Sequence, residues 1–451
     1  MTMLLRSRFC ANLRLPLTLP SSTRLLTTPT SHNREHGHAG RVWSWGIGVD
    51  GKLGHGDQSL VTCPKIVDEL DGCRVQAVSC GATHSVALLK GVSNGQVFAW
   101  GSNFYGQAGY IPEHSGFFDE DDDDQVSLPT RVKGELTNED VVDVACGDYH
   151  TVALAKSGKV YTWGGGLLGN ASELNDSNPQ PLTFFHDIGR RVLSISAHGP
   201  TTAVLAVPSG NLTAPLEVYA WGYIAAPNGT LLKATSPVLL AGALKSRVES
   251  VVAGRGCLGV ISVDGQKRTC TVFGVGGGRA PRDLFVEQKS ENVVDILEGQ
   301  QSGVVHWGTG MKKIAFGDDF GLLLQENGTL NTLRLSSTAT VSDPEPLQLT
   351  NIIDMSIGPQ AVVCLDSAGQ IFAWGDEFLF SQSKQDEPKS WWEIWRDRGQ
   401  EQHKEQVQKK SLIDKIVTEE PRRVGVCQGA RGVAVGWDHF LCRGLDQAGD
   451  I

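Results

Sequence analysis

Two patterns of apolar and polar positions recur along the chain, and both have the period of a half-buried strand. One begins at a glycine and runs into alternating small and β-branched residues: Gly81-Ala-Thr-His-Ser-Val-Ala-Leu88, Gly147-Asp-Tyr-His-Thr-Val-Ala-Leu154 and Gly436-Trp-Asp-His-Phe-Leu441. The other ends in Trp-Gly: Val42-Trp-Ser-Trp-Gly46, Val97-Phe-Ala-Trp-Gly101, Val160-Tyr-Thr-Trp-Gly164, Val218-Tyr-Ala-Trp-Gly222 and Ile371-Phe-Ala-Trp-Gly375. Proline-bearing segments often follow, as at Cys63-Pro64, Leu128-Pro129, Pro181, Ser236-Pro237 and Pro346. These read as further strands of the same unit. Such strands together suggest a four-stranded unit.

Weaker copies of the glycine pattern at Gly199, Gly254, Gly317 and Gly358 complete a series 81, 147, 199, 254, 317, 358, 436. Seven units are therefore expected. A single four-stranded sheet cannot bury both faces, so the units must stack radially and close. The ends of the chain say how. The seventh glycine leaves no room for its own Trp-Gly strand before Ile451, while the chain offers an unmatched Trp-Gly strand at 42–46. The two halves complement each other, which predicts an all-β, seven-bladed β-propeller spanning 41–451 and closed by a composite N-/C-terminal blade.

The first 33 residues differ from the rest. They hold Arg6, Arg8, Arg14 and Arg24, many Ser and Thr, and no acid precedes Glu35. Such a leader reads as an organelle transit peptide, expected to direct the protein to mitochondria and to be removed there. Removing those four arginines takes the net charge from −10 to −14. That balance gives no support to direct nucleic-acid binding. No apolar run reaches the length of a transmembrane helix. The 10 cysteines form no CxxC pair and read as buried small residues rather than metal ligands. Nothing calls for a cofactor.

The motifs Cys-Gly-x-x-His-Thr-x-Ala-Leu, Gly-x-Val-Tyr-x-Trp-Gly and Gly-x-Leu-Gly (Gly51 to Gly54) together resemble the regulator of chromosome condensation repeats. The resemblance is strong in repeats one to three and seven, and degraded between about 255 and 335. With the leader, the chain resembles the mitochondrial members of that family. The resemblance implies a non-catalytic interaction scaffold supporting organelle translation, ribosome assembly or respiratory-complex biogenesis. Its partners would be other proteins, such as ribosome-assembly factors. It also implies an alternative, guanine-nucleotide exchange on a mitochondrial GTPase. For that role Asp148 matches an acidic residue of the family's nuclear exchange factor, and the loop 164–181 matches its wedge. Against this, Asp148 reads locally as an Asx-turn residue. A tryptophan-based light sensor would want Gly-Trp-x-His in several repeats, and only residues 436–439 supply it.

Other features carry less. His84, His150 and His439 share one repeat position with no recurring nucleophile or metal partner, which points to structural imidazoles between blades. Gly274-Val-Gly-Gly-Gly278 lacks the βαβ context of a dinucleotide loop. Asp119-Glu-Asp-Asp-Asp-Asp124 repels itself and reads as a solvated loop, or as a dock for a basic partner. The longest insertion, 376–420, is rich in Gln, Glu and Lys and predicts a helix. Its Trp391, Trp392 and Trp395 would sit on adjoining helix faces, packing on the propeller or on a partner.

Overall fold

The structure is a computed structural model that describes residues 40–90, 95–110, 125–225, 231–241, 247–255, 257–264, 267–273, 303–306, 310–317, 320–335, 345–375 and 412–445. The expected leader, the acidic run 119–124, the glycine run 274–278 and the three insertion tryptophans lie outside these residues. Seven four-stranded antiparallel sheets form the blades. In chain order they occupy 75–131, 141–181, 190–241, 247–306, 311–346, 352–426, and finally 430–445 together with 40–66. The innermost strand of each blade touches the innermost strand of the next all the way round the ring.

The composite blade forms as the sequence requires. Strand Gly40–Gly46 runs antiparallel to His439–Leu445, from Gly40 opposite Leu445 to Gly46 opposite His439. Prolines 64, 129, 181, 237 and 346 fall on the fourth strands of their blades, where one side of the ladder is free. The weak repeats between 255 and 335 still make complete blades, with Leu323, Leu333, Ile314 and Phe316 in place of the tryptophan-bearing pattern. A helix, Leu412–Thr418, closes the insertion and sets Ile416 into the core beside Trp374.

Trp-Gly has a geometric cause. Trp45, Trp100, Trp163 and Trp221 are fully buried between blades. The glycines that follow take φ of +106°, +108°, +103° and +98°, a region that L side chains avoid. The turn so made carries the chain into the next connection, whose backbone locks the following blade. The Lys52 carbonyl accepts from the Trp100 indole at 2.9 Å and the Ser85 hydroxyl at 2.8 Å. One blade on, the Gln107 carbonyl accepts from Trp163 at 3.1 Å and Thr151 at 3.0 Å.

The ring has two unlike ends. At one, the first strand of each blade turns into the second, and the third crosses to the fourth. The connections 103–124, 274–302 and 376–421 all leave and return at this end. The opposite end carries Gly40 and Leu445 and shorter links such as 156–159 and 367–369. The first end is called the loop face below.

Candidate functional site

The loop face is built on the hairpin glycines. The N–H groups of Gly81, Gly147 and Gly436 donate to the carbonyls of His84, His150 and His439, each at 2.9 Å, and close a tight turn. A Cβ on any of these glycines would collide with the imidazole three residues on. That is why the two residues occur as a pair. The ring nitrogens then tie blade to blade: His84 Nε2 lies 2.9 Å from Thr151 Oγ1, His150 Nε2 lies 2.7 Å from Thr202 Oγ1, and His439 Nε2 lies 3.3 Å from the His84 carbonyl. Burial lowers His84 to a pKa of about 3 and His150 to about 4, so both are neutral. The structural reading of these histidines matches the geometry. In the degraded repeats the hairpin bond persists with Cys257, Phe320 and Ala361 at the histidine position.

The residues after three hairpin glycines, Asp148, Arg255 and Trp437, come together, and here the chemistry gathers. Asp148 is 9% exposed, and its carboxylate is held by residues far along the chain rather than by its own turn. Its backbone joins a belt, accepting from Ala82 N–H at 2.8 Å and donating to the Gly199 carbonyl at 2.7 Å. Its carboxylate reaches across the ring. Arg255 Nη2 approaches Oδ1 and Oδ2, each at 2.9 Å, and the Trp437 indole N–H donates to Oδ1 at 3.1 Å. The guanidinium lies over the Trp437 ring, 5.8 Å from its centroid. Three blades are thus joined through one carboxylate. His198 stands beside them, held near a pKa of 4 by burial and by the Arg255 charge. Below Trp437, Lys52 Nζ meets Asp438 Oδ1 at 2.6 Å. Burial raises the Asp438 carboxyl, but the Lys52 ammonium and His439 outweigh it and hold it at about 2.

From this triad an aromatic path runs outward across the loop face. Trp437 packs on Tyr149 at 6.5 Å, Tyr149 on Tyr105 at 5.3 Å, and Tyr105 on Phe104 at 4.9 Å, by ring centroids. Phe104 is 65% exposed. Gly165, at the root of the loop 164–181, abuts both Tyr105 and Asn175. Its neighbour Leu174 is 77% exposed. Of the residues singled out from sequence, Asp148 is therefore on this face. Trp391, Trp392 and Trp395 lie outside the described residues, in a connection that leaves the face at Gly375 and returns at Leu412. Sequence reasoning missed Arg255, Trp437 and the Phe104–Tyr105 pair. The first two were within reach, because they share with Asp148 the position after a hairpin glycine, and equal repeat positions form one ring. Among the described residues no cluster of His, Cys, Asp and Glu could hold a metal ion.

Residues 39–88 and 94–154 match the family described as Regulator of chromosome condensation (RCC1) repeat, and a second description of that repeat covers 75–107 and 141–169. The human E3 ubiquitin-protein ligase HERC2 is 29% identical over 231 residues, which span 50% of this chain and only 4% of that protein. The ultraviolet-B receptor UVR8 of Arabidopsis thaliana is 25% identical over 79% of this chain and 77% of its own length. Among solved structures, Prp20p of Saccharomyces cerevisiae, described with its binding to Gsp1p and histones, superposes with a TM-score of 0.60 at 16% identity. That match covers 91% of this chain and 93% of Prp20p. Human WBSCR16 gives 0.56 at 19% identity, over 90% and 99%. At such identities the structural likeness speaks to the fold alone. Repeats, ring and composite blade agree, and the chain is a seven-bladed β-propeller that carries regulator of chromosome condensation repeats.

Proposed function

We propose that this chain is a non-catalytic, protein-binding scaffold of mitochondria, serving organelle translation, ribosome assembly or respiratory-complex biogenesis through its loop face. The observation that carries the binding role is the one-sided build of the ring. The long connections and the exposed Phe104 and Leu174 share an end where Asp148 is already engaged internally. Single exposed apolar residues are ordinary, but an aromatic path leading to the axis is a feature of interaction surfaces. The organelle rests on the acid-free, arginine-bearing leader, and the biological setting on likeness to the mitochondrial members of the family. Trp391, Trp392 and Trp395 are taken as partner-binding residues on the sequence alone, since tryptophan is enriched where binding energy concentrates. Affinity capture from purified mitochondria, read by mass spectrometry, tests the reading, together with sequencing of the mature N-terminus. An intact Met1 on organelle-resident protein contradicts the leader. Changing the three tryptophans together to Ser should abolish co-purification while keeping the melting temperature.

A second reading, guanine-nucleotide exchange on a mitochondrial GTPase, draws on the position of Asp148 at the mouth of the axis. There its carboxylate is held by Arg255 and Trp437, so a partner would have to displace those groups or work beside them. Equal nucleotide release by the parent and Asp148→Ala, with a GTPase that responds to the parent, would exclude this site.

A further inference from the structure

We infer that Arg255 and the Trp437 indole form a carboxylate receptor on the loop face, that Asp148 fills it in the free chain, and that an acidic side chain of a partner protein takes its place on docking. This names a partner chemistry for the scaffold reading and rests on it. Three observations converge. The groups that hold the Asp148 carboxylate are donors: Arg255 Nη2 at 2.9 Å from each oxygen, and the Trp437 N–H at 3.1 Å from Oδ1. Once vacated, they select an anion, and the present occupant sets its class as a planar carboxylate. The cluster also reaches solvent, with the Arg255 and Asp148 side chains 26% and 12% exposed. An incoming side chain therefore meets it without a blade unfolding.

The third observation is His198. Its Nε2 is buried and has no hydrogen-bond partner among the described residues. Burial, aided by the Arg255 charge, keeps the imidazole neutral. A buried polar atom left unsatisfied is uncommon and marks an incompletely filled site. Asp148 is poorly placed to fill it, because its backbone is fixed on both sides by Ala82 and Gly199. A carboxylate on another chain is free of that tether. While Asp148 competes, an external carboxylate sees a site open only part of the time, and its apparent affinity falls by that fraction.

The test uses the full chain and a short fluorescent polyglutamate peptide, read by anisotropy. Asp148→Ala should bind the peptide at least about tenfold more tightly than the parent, as expected when the open state is a minor one. Adding Arg255→Gln should remove the binding. Adding Trp437→Phe instead, which keeps the ring, should weaken it about tenfold, the scale of one hydrogen bond to a charged group. Asp148→Asn is nearly isosteric and serves should the alanine variant fail to fold; its affinity should rise in the same direction. Acetate should raise the melting temperature of Asp148→Ala above its value in chloride at equal ionic strength, and leave the parent unchanged. Equal binding by parent and Asp148 variants, binding that survives Arg255→Gln, or no binding would each overturn the proposal. So would an equal rise in phosphate, which makes the site a general anion site. Self-association of Asp148→Ala that Arg255→Gln abolishes would overturn it too, by giving the receptor to a second copy. If the peptide fails while partners still crosslink to position 104, the triad is a structural lock and the scaffold reading stands.

Discussion

Gly147 and His150 show how a two-residue motif can be a single steric unit. The imidazole lies where a glycine Cβ would be, and its far nitrogen bonds the next blade. Gly147→Ala should therefore cost about 1–3 kcal/mol, the usual range for overpacking. Gly210→Ala, where a Cβ meets open space, should be near neutral. Thermal unfolding of the two variants checks this. The same histidines set an acid limit. Their folded pKa values, about 3 for His84 and about 4 for His150 and His198, lie below the 6.5 of the free side chain. The unfolded chain thus takes up protons near pH 6.5 that the folded chain refuses until pH 3–4. Stability should be full above that upper value and fall steadily as pH drops through 6 and 5. His150→Gln should melt lower at pH 7 and show a shallower slope between pH 7 and 5; an unchanged slope contradicts the assignment. Asp148 was legible as a notable residue but not as a lock, because its partners lie 107 and 289 positions away. Asp148→Ala should destabilise by about 1–3 kcal/mol, since it strips partners from a guanidinium and a half-buried indole. Trp437→Phe, which keeps the ring and loses only the N–H, should cost less.

At the level of strands and hairpins, the legible elements are those whose pattern has a steric origin. The Trp-Gly strands could be read because the turn demands a glycine and the space between blades demands a large ring. The blades at 247–306 and 311–346 were faint because the histidine position admits Cys257 or Phe320 once the hairpin bond is made, and Leu333 can fill the inter-blade space. The composite blade was legible because two incomplete units stood at the two ends of the chain. It should also be the point of failure. Deleting residues 42–46 removes the strand that pairs with both His439–Leu445 and Val61–Ile66, exposing ladder edges on either side. A lower and broader thermal transition is expected, and an unchanged midpoint would refute the closure.

Each blade touches the next at its innermost strand, and the longest connections are rooted at the loop face. The fold was legible from periodicity; the one-sidedness was not, because alternation alone does not say at which end of a blade a long connection emerges. That follows only once register places Gly46 beside His439 and Gly101 beside His84. The central claim is that partners are met on this face. It is tested most directly by placing a photo-crosslinking amino acid singly at positions 104 and 174, and at positions 188 and 212 on the opposite end, in protein expressed in cells. All four side chains are exposed, so none of the replacements disturbs the core. Adducts to partner proteins are predicted from 104 and 174 and not from 188 and 212. Adducts arising equally from both ends, or only from 188 and 212, would contradict the account.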